Sequence, residues 1–266
     1  MAPAEGAAMN RPGFLAGLAA VGVAGAAPAG AADSYAQSVD DLVAANRILA
    51  QLNVVDGFGH VSVRDPRDPS HYLLARSMAP ALVTAADIQL YDLRSVPLDP
   101  NARPSYLERF IHGAIYAARP DVVSVVHSHT ESVIPFADTG VTLRPMFHMA
   151  SFLGGGAPIF DIRSAGGDGT DMLISNQTLG DALARTLGSA DVALMRGHGM
   201  VAVGTSIPEA VFRAYYTGED ARLEAEALRL GTPTYLSPAE AAHATRTNTA
   251  LVGRAWALWK RAAMGS

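Results

Sequence analysis

At 266 residues, 49% hydrophobic and 17% charged, the chain suits one large domain with enough apolar material for a full core. A formal net charge of -5 without any Lys/Arg run argues against a nucleic-acid surface. With no cysteine, disulfides and thiolate ligands are excluded, so any metal must rest on His, Asp or Glu.

The N-terminus is the one compositional break. Arg11 precedes an apolar run from Phe14 to Ala27, and Pro28 to Ala32 offers small residues suited to cleavage, the layout of a secretory signal. Arg11-Pro-Gly-Phe-Leu15 resembles a twin-arginine export signal whose second Arg has become Pro. Residues 1–32 are therefore expected to stand outside the core as an export segment of a periplasmic or exported protein. The alternative is a disordered Ala/Gly arm on a cytoplasmic enzyme. The run is too short and Gly-rich for a permanent membrane anchor.

Ser38 and Asp40 predict the start of a helix carrying Val39, Leu42, Val43, Ile48, Leu49 and Leu52. Asp56-Gly57 reads as a turn, and Gly59-His60-Val-Ser-Val-Arg64 as a strand. His71 to Ser77 fits the returning strand, and Thr84-Ala-Ala-Asp87 a capped turn into a third, Ile88 to Leu93. A helix is expected from Ser105 to Ala118, with Leu107, Ile111, Ala114, Ile115 and Ala118 on its buried face. Glu108 and His112, four apart, are then neighbours on its surface.

Asp121-Val-Val-Ser-Val-Val-His127-Ser-His129-Thr130 reads as a buried strand, on which His127 and His129 share a side. A short helix near Glu131–Phe136, a loop-rich passage containing His148, and a strand near Pro158–Ile162 follow. Gln177–Leu187 reads as a helix and Asp191 to Arg196 as a strand. Gly197-His198-Gly199 turns tightly into a further strand, Met200 to Gly204. Two final helices each open on a capping box, Ser206-Ile-Pro-Glu209 and Ser237-Pro-Ala-Glu240. No repeat or linker appears after residue 33, so residues 33–266 read as one catalytic domain.

Taken alone, His-x-His on a strand is more often structural than metal-binding. Three His at strand ends, with a carboxylate on the preceding helix, change that balance. A catalytic zinc-type site takes three protein ligands and an open position, and His127, His129 and His198 beside Glu108 satisfy it. His112 reads as a hydrogen-bonding partner rather than a ligand. His148 either lines the pocket or is a satisfied core histidine, and His71 and His243 read as surface residues. Tyr215-Tyr216 reads as interface packing, and Arg64 as a salt-bridged strand residue.

Glu108-Arg-Phe-Ile-His112, Arg119-Pro-Asp121, Val-Val-His127-Ser-His129 and Arg196-Gly-His198-Gly together resemble the class II aldolase/adducin family. Gly59-His60-Val-Ser-Val-Arg64 and the Thr84–Asp87 turn resemble it too, so the likeness runs from about Val39 to Trp259. It implies an α/β fold of three αβα layers around a central, largely antiparallel mixed sheet. It also implies a homotetramer with active sites at subunit interfaces. The three histidines would bind a divalent metal, zinc first, with manganese, iron or cobalt as alternatives, and Glu108 would be the acid/base. The sugar-phosphate members carry Gly-Asn, Thr-Gly and paired Ser to hold phosphate. Here His60, Arg76-Ser77-Met78 and Ser105-Tyr106-Leu107 stand instead.

The expected substrate is accordingly an unphosphorylated carboxylic acid gripped by His60 and Arg76, with Ser77, Tyr106 and His148 lining its place. Phe58-Gly-His-Val-Ser-Val-Arg and Tyr106-Leu-Glu-Arg-Phe-Ile-His look like the branch of decarboxylases of aromatic or ring-cleavage acids. The leading expectation is a metal-dependent carbon–carbon lyase that decarboxylates such an acid through a metal-stabilised enolate, Glu108 in its acid form protonating the carbon. Retro-aldol cleavage, possibly of a sugar phosphate, a non-heme iron oxygenase and a non-catalytic adducin-like scaffold are the alternatives.

Overall fold

The computed structural model describes residues 29–265. Helix α1 (Ala29–Gln51) leads into β1 (His60–Arg64), β2 (His71–Ala75) and β3 (Ile88–Asp92), an antiparallel meander. After α2 (Phe110–Ala118), β4 (Ser124–Ser128) returns antiparallel to β1. Then come α3 (Ile134–Thr139), β5 (Ile159–Phe160), α4 (Arg163–Gly166) and α5 (Gln177–Leu187). The hairpin β6 (Val192–Met195) and β7 (Gly199–Gly204) precedes the long helices α6 (Ile207–Leu230) and α7 (Pro238–Met264). The strands form one seven-stranded sheet in the order β3-β2-β1-β4-β7-β6-β5, with only β5–β6 parallel.

Side-chain alternation along the strands builds the layers. Val61, Val63, Leu73, Val126, Leu194, Met200 and Ala202 pack on one face against residues of α1 and α6. Tyr72, Leu74, Val125, Ala193, Val201 and Val203 pack on the other against α2 and α5. The expected α/β architecture, helices on both faces of a largely antiparallel sheet, is what the chain adopts. The same alternation decides where the polar residues go. His60 and Ser62 interleave with Val61 and Val63, and His127 follows Val126, so all three point at the α2 face.

Several local expectations need correction. The export segment falls mostly on residues 1–28, outside the described residues, and α1 begins at Ala29, well before Ser38. The helix expected from Ser105 starts at Phe110; before it lies a short 3-10 turn in which Glu108 has non-helical angles, φ -89 and ψ 18. Leu107 is consequently 63% exposed, and Ala118, past the last buried turn, is exposed as well. Ser206 caps α6 through the Glu209 N–H, but the Glu209 carboxylate turns to Thr205 and Arg213, so only half the capping box forms. Among the described residues Arg64 makes no salt bridge: its guanidinium donates to the carbonyls of Val122, Pro69, Tyr116 and Arg119, anchoring α2 to β1. Apart from these corrections, Tyr215 and Tyr216 meet Trp259 of α7. Among the described residues no helix is long and apolar enough to cross a membrane.

Candidate metal centre

Strand β4 ends with His127 buried and His129 exposed just beyond it, while Gly197-His198-Gly199 turns the chain into β7, the next strand of the sheet. The three rings converge, with centroids 5.2 Å apart for His127–His129, 5.0 Å for His127–His198 and 4.9 Å for His129–His198. Glu108 enters from the α2 layer; its Oε2 lies 3.3 Å from His127 Nε2 and 3.4 Å from His198 Nε2. One ligand atom from each of Glu108, His127, His129 and His198 lies within 4.8 Å of the others. The kink at Glu108 goes with a long-range contact: its Oε1 accepts the Ile174 N–H at 3.0 Å, which draws the side chain inward and away from a helical position.

Backbone carbonyls orient the rings. His127 Nδ1 is 3.1 Å from the Met200 carbonyl and His198 Nδ1 2.8 Å from that of Met172, so each Nδ1 donates and each Nε2 is turned toward the centre. Among the described residues His127 Nε2 is sealed from solvent with no hydrogen-bond partner. An orphaned ring nitrogen facing two more imidazoles and a carboxylate fits a divalent ion, for which three nitrogens and one oxygen are a suitable donor set. Burial pushes the Glu108 carboxyl up, but His127 and His198 outweigh it and hold the group well below the usual carboxylate range. Burial also works against a charge on His198, where Glu108 prevails and raises the pKa. His129 is lowered to about 4, by burial first and then by its two imidazole neighbours.

Beyond the cluster, His60 is buried with its ring 5.1 Å from that of His127 and 4.6 Å from Tyr106. Its Nδ1 meets His112 Nε2 at 2.7 Å, and His112 Nδ1 meets Ser62 Oγ at 2.6 Å. His112 is thus a hydrogen-bonding partner, as expected. Burial, with His112 and His127 adding to it, lowers the His60 pKa well below 6.5. Arg76 pairs through Nε with Asp87 at 2.8 Å, and among the described residues its terminal nitrogens have no partner. Tyr106 is buried and donates to the Met78 carbonyl at 2.6 Å, while Ser77 is exposed.

His148 is not the satisfied core histidine of one expectation. It is exposed, at the start of a short 3-10 segment packed on α7, and its ring meets Phe147 and none of the cluster. An open cleft of about 880 Å³ lies between the end of α1 and α6, walled by Val55, Asp56, His129, Thr130, Tyr215 and Arg222. Of the four clustered residues only His129 reaches it, so the centre opens to solvent on that side. Ile174, Met172 and Met200 contribute backbone atoms, for which the sequence carries no signal.

A family model described as the class II aldolase and adducin N-terminal domain matches residues 40–225. The chain belongs to the class II aldolase/adducin family. It is 38% identical over 237 residues to decarboxylase tropJ of Talaromyces stipitatus, covering 80% of this chain and 89% of that protein. It is 31% identical over 222 residues to a 3,4-dihydroxyphthalate decarboxylase of Terrabacter sp., covering 77% and 87%. The fold matches an L-fuculose 1-phosphate aldolase from Glaciozyma antarctica with TM-score 0.74 at 22% identity, over 89% of this chain and 93% of that one. Family and cluster together make this class II aldolase-family chain a metal-dependent lyase, of the decarboxylase or the aldolase kind.

Proposed function

We propose that the protein decarboxylates an unphosphorylated, hydroxylated aromatic or ring-cleavage carboxylic acid at a divalent metal, zinc in the first instance, held by His127, His129 and His198. The observation that carries this reading is the orphaned His127 Nε2, in a cluster shared with Glu108, in a chain 31% and 38% identical to two decarboxylases. The metal would supply the positive charge that holds a substrate oxygen and takes up electron density as the carbon–carbon bond breaks.

The chain's own residues do the rest. The Met200 and Met172 carbonyls hold the imidazoles of His127 and His198 with Nε2 inward. Glu108, accepting the Ile174 N–H, stands as a carboxylate rather than in the acid form expected from sequence. It takes the proton of the substrate hydroxyl, holds it while carbon dioxide leaves and the bonding electrons pass into the substrate, and returns it to the carbon so exposed. Arg76 offers its free terminal nitrogens to the carboxylate, and Tyr106 and Ser77 flank it. A homo-oligomer belongs to the same proposal, supported by exposed apolar side chains on the final helices, Leu223, Leu230 and Leu258 among them.

The test is carbon dioxide release from hydroxylated aromatic and muconic-type acids, run beside ketose phosphates. Release from an acid supports the proposal; cleavage of a ketose phosphate with no carbon dioxide from any acid overturns it in favour of aldol chemistry.

A further inference from the structure

One stretch of backbone, between α4 and α5, reaches two sides of the candidate centre. The Met172 carbonyl lies 2.8 Å from His198 Nδ1, and two residues on the Ile174 N–H is donated to Glu108 Oε1 at 3.0 Å. Met172 holds this place in a left-handed conformation, φ +71, that a residue with a side chain seldom adopts. Of the described non-glycine residues with a positive φ, the others being Asn53 and Ser95, it alone is long and apolar. Strain of this kind persists only where the surroundings over-determine it, and it gathers at sites that need a fixed geometry.

The surroundings here pin the stretch at both ends. The Met172 side chain lies over the turn that carries His198: its Sδ is 3.8 Å from Arg196 Nη2, and its Cε would stand 3.0 Å from a Cβ at Gly197. Arg196 Nε is 3.0 Å from Asp161 Oδ1, an ion pair not aligned as a hydrogen bond, which ties the same turn to the chain just ahead of α4. Downstream, Ile174 is fully buried and Asn176 caps α5 through the Leu179 N–H. Helix α5 is seated on α2, the helix that follows Glu108, at Gly180, where a Cβ would come within 2.5 Å of the Phe110 carbonyl oxygen. Neither the cap nor the burial of Ile174 accounts for a left-handed Met172. What that residue leaves in place is a carbonyl on one member of the cluster and, two residues later, an N–H on another.

We propose that Met172–Ile174 is a strap that acts as one unit: Met172, held left-handed by its side chain over the Arg196–Gly197 turn, sets the His198 imidazole, and Ile174 sets the Glu108 carboxylate. One piece of backbone then fixes the spacing of an imidazole and a carboxylate before any ion arrives, and ligands already in place bind it more tightly than ligands that must be ordered. Met172 and Ile174 are positioning residues; metal affinity is assigned to a side chain, Met172, that offers no ligand atom to the cluster. The inference rests on the metal centre of the functional reading above and not on its substrate.

Zinc alone, titrated into the full chain, tests this, with melting of the metal-free protein followed beside it. Met172→Gly accepts the left-handed backbone freely and drops the side chain that holds the turn. Its zinc affinity should fall about tenfold to a hundredfold, the typical cost of losing a group that orients a ligand. Met172→Leu, which keeps the bulk over Gly197, should recover most of it. A Met172 that only packs would lower melting and leave the affinity of the folded protein unchanged, which overturns the proposal. Ile174→Pro removes the N–H given to Glu108. Combined with Met172→Gly it should cost little more than the poorer single variant; losses that multiply would show two independent contacts and overturn the strap. Where Ile174→Pro does not fold, hydrogen exchange in the wild type decides the same point. Zinc should slow exchange of the Ile174 amide about tenfold more than that of Leu179 at the start of α5, and equal slowing overturns the strap. Wild-type protein that takes up no zinc defeats the metal centre and the strap together. Uptake of zinc by the wild type with Met172→Gly unchanged defeats the strap alone.

Discussion

Gly199 lies directly against Ser128: a Cβ at residue 199 would overlap the Ser128 carbonyl oxygen and stand 2.9 Å from the Cα of His129. Its φ of +156 is also one that side chains rarely adopt. The missing side chain is what lets the turn carrying His198 close onto the end of β4, where His129 waits with its Nε2 3.1 Å from that of His198. Gly199→Ala is therefore expected to cost about 2–4 kcal/mol and to lower metal content with it. Thermal unfolding and metal analysis check this together; an alanine variant with unchanged melting and full metal would show that the close approach is dispensable.

Glu108→Gln keeps the shape of the side chain and leaves an oxygen for the Ile174 N–H, but it removes the group that holds and returns the proton. Turnover is expected to fall by about 10²–10⁴-fold while substrate and metal still bind. Single-turnover kinetics with parallel binding measurements separate the two. A variant with normal turnover would remove Glu108 from the proton path.

Arg76→Gln should act on the other kinetic parameter. Removing a charge-assisted contact to the carboxylate is expected to weaken substrate binding by about 1.5–3 kcal/mol, with less effect on turnover at saturation. Because Arg76 also pairs with Asp87, melting of the same variant must be followed. A KM equal to that of the wild type would place the carboxylate elsewhere.

Asp220 offers a prediction remote from the metal. It is buried on α6; Oδ1 accepts the Met146 N–H at 2.9 Å and, among the described residues, Oδ2 has no hydrogen-bond partner. Burial pushes its carboxyl up to about 7 against an ordinary 3.8, and neighbouring Glu224 adds to it. The folded state thus holds the proton more tightly than the unfolded one. That contribution is fully present below the unfolded pKa and is lost as pH rises through about 7. Asp220→Asn should stabilise the protein by about 1–2 kcal/mol more near pH 8.5 than near pH 5.5, read as a difference in melting at the two pH values. Equal effects at both would show that Asp220 does not titrate in this range.

What could be read ahead of the structure follows from where the information lies. The alternation Val61–Val63 and Val125–His127 is local, so strands, sheet faces and the common side of His127 were legible. The glycines around His198 marked a turn for the same reason. Glu108 was legible as a chemical group but not in its conformation, because the force that breaks the helix there is an N–H donated by Ile174, far along the chain. The His60–His112 contact joins a strand to a helix, and no spacing reports a distance of that kind. His148 misled because an apolar setting, Phe147 and Met149, suggested burial, whereas the segment lies on the surface beside α7. Asp220 and Glu224 could have been found: two carboxylates one turn apart on the stripe that also carries Ala214, Thr217 and Ala221 must be buried with them.

The most direct test is metal dependence of carbon dioxide release from a hydroxylated aromatic acid. Wild-type protein stripped with a chelator should fall to background and recover on addition of one equivalent of a divalent ion per chain, while folded His127→Ala should neither bind the ion nor recover. Undiminished release from metal-free protein, or full recovery in His127→Ala, would contradict a metal centre built on Glu108, His127, His129 and His198.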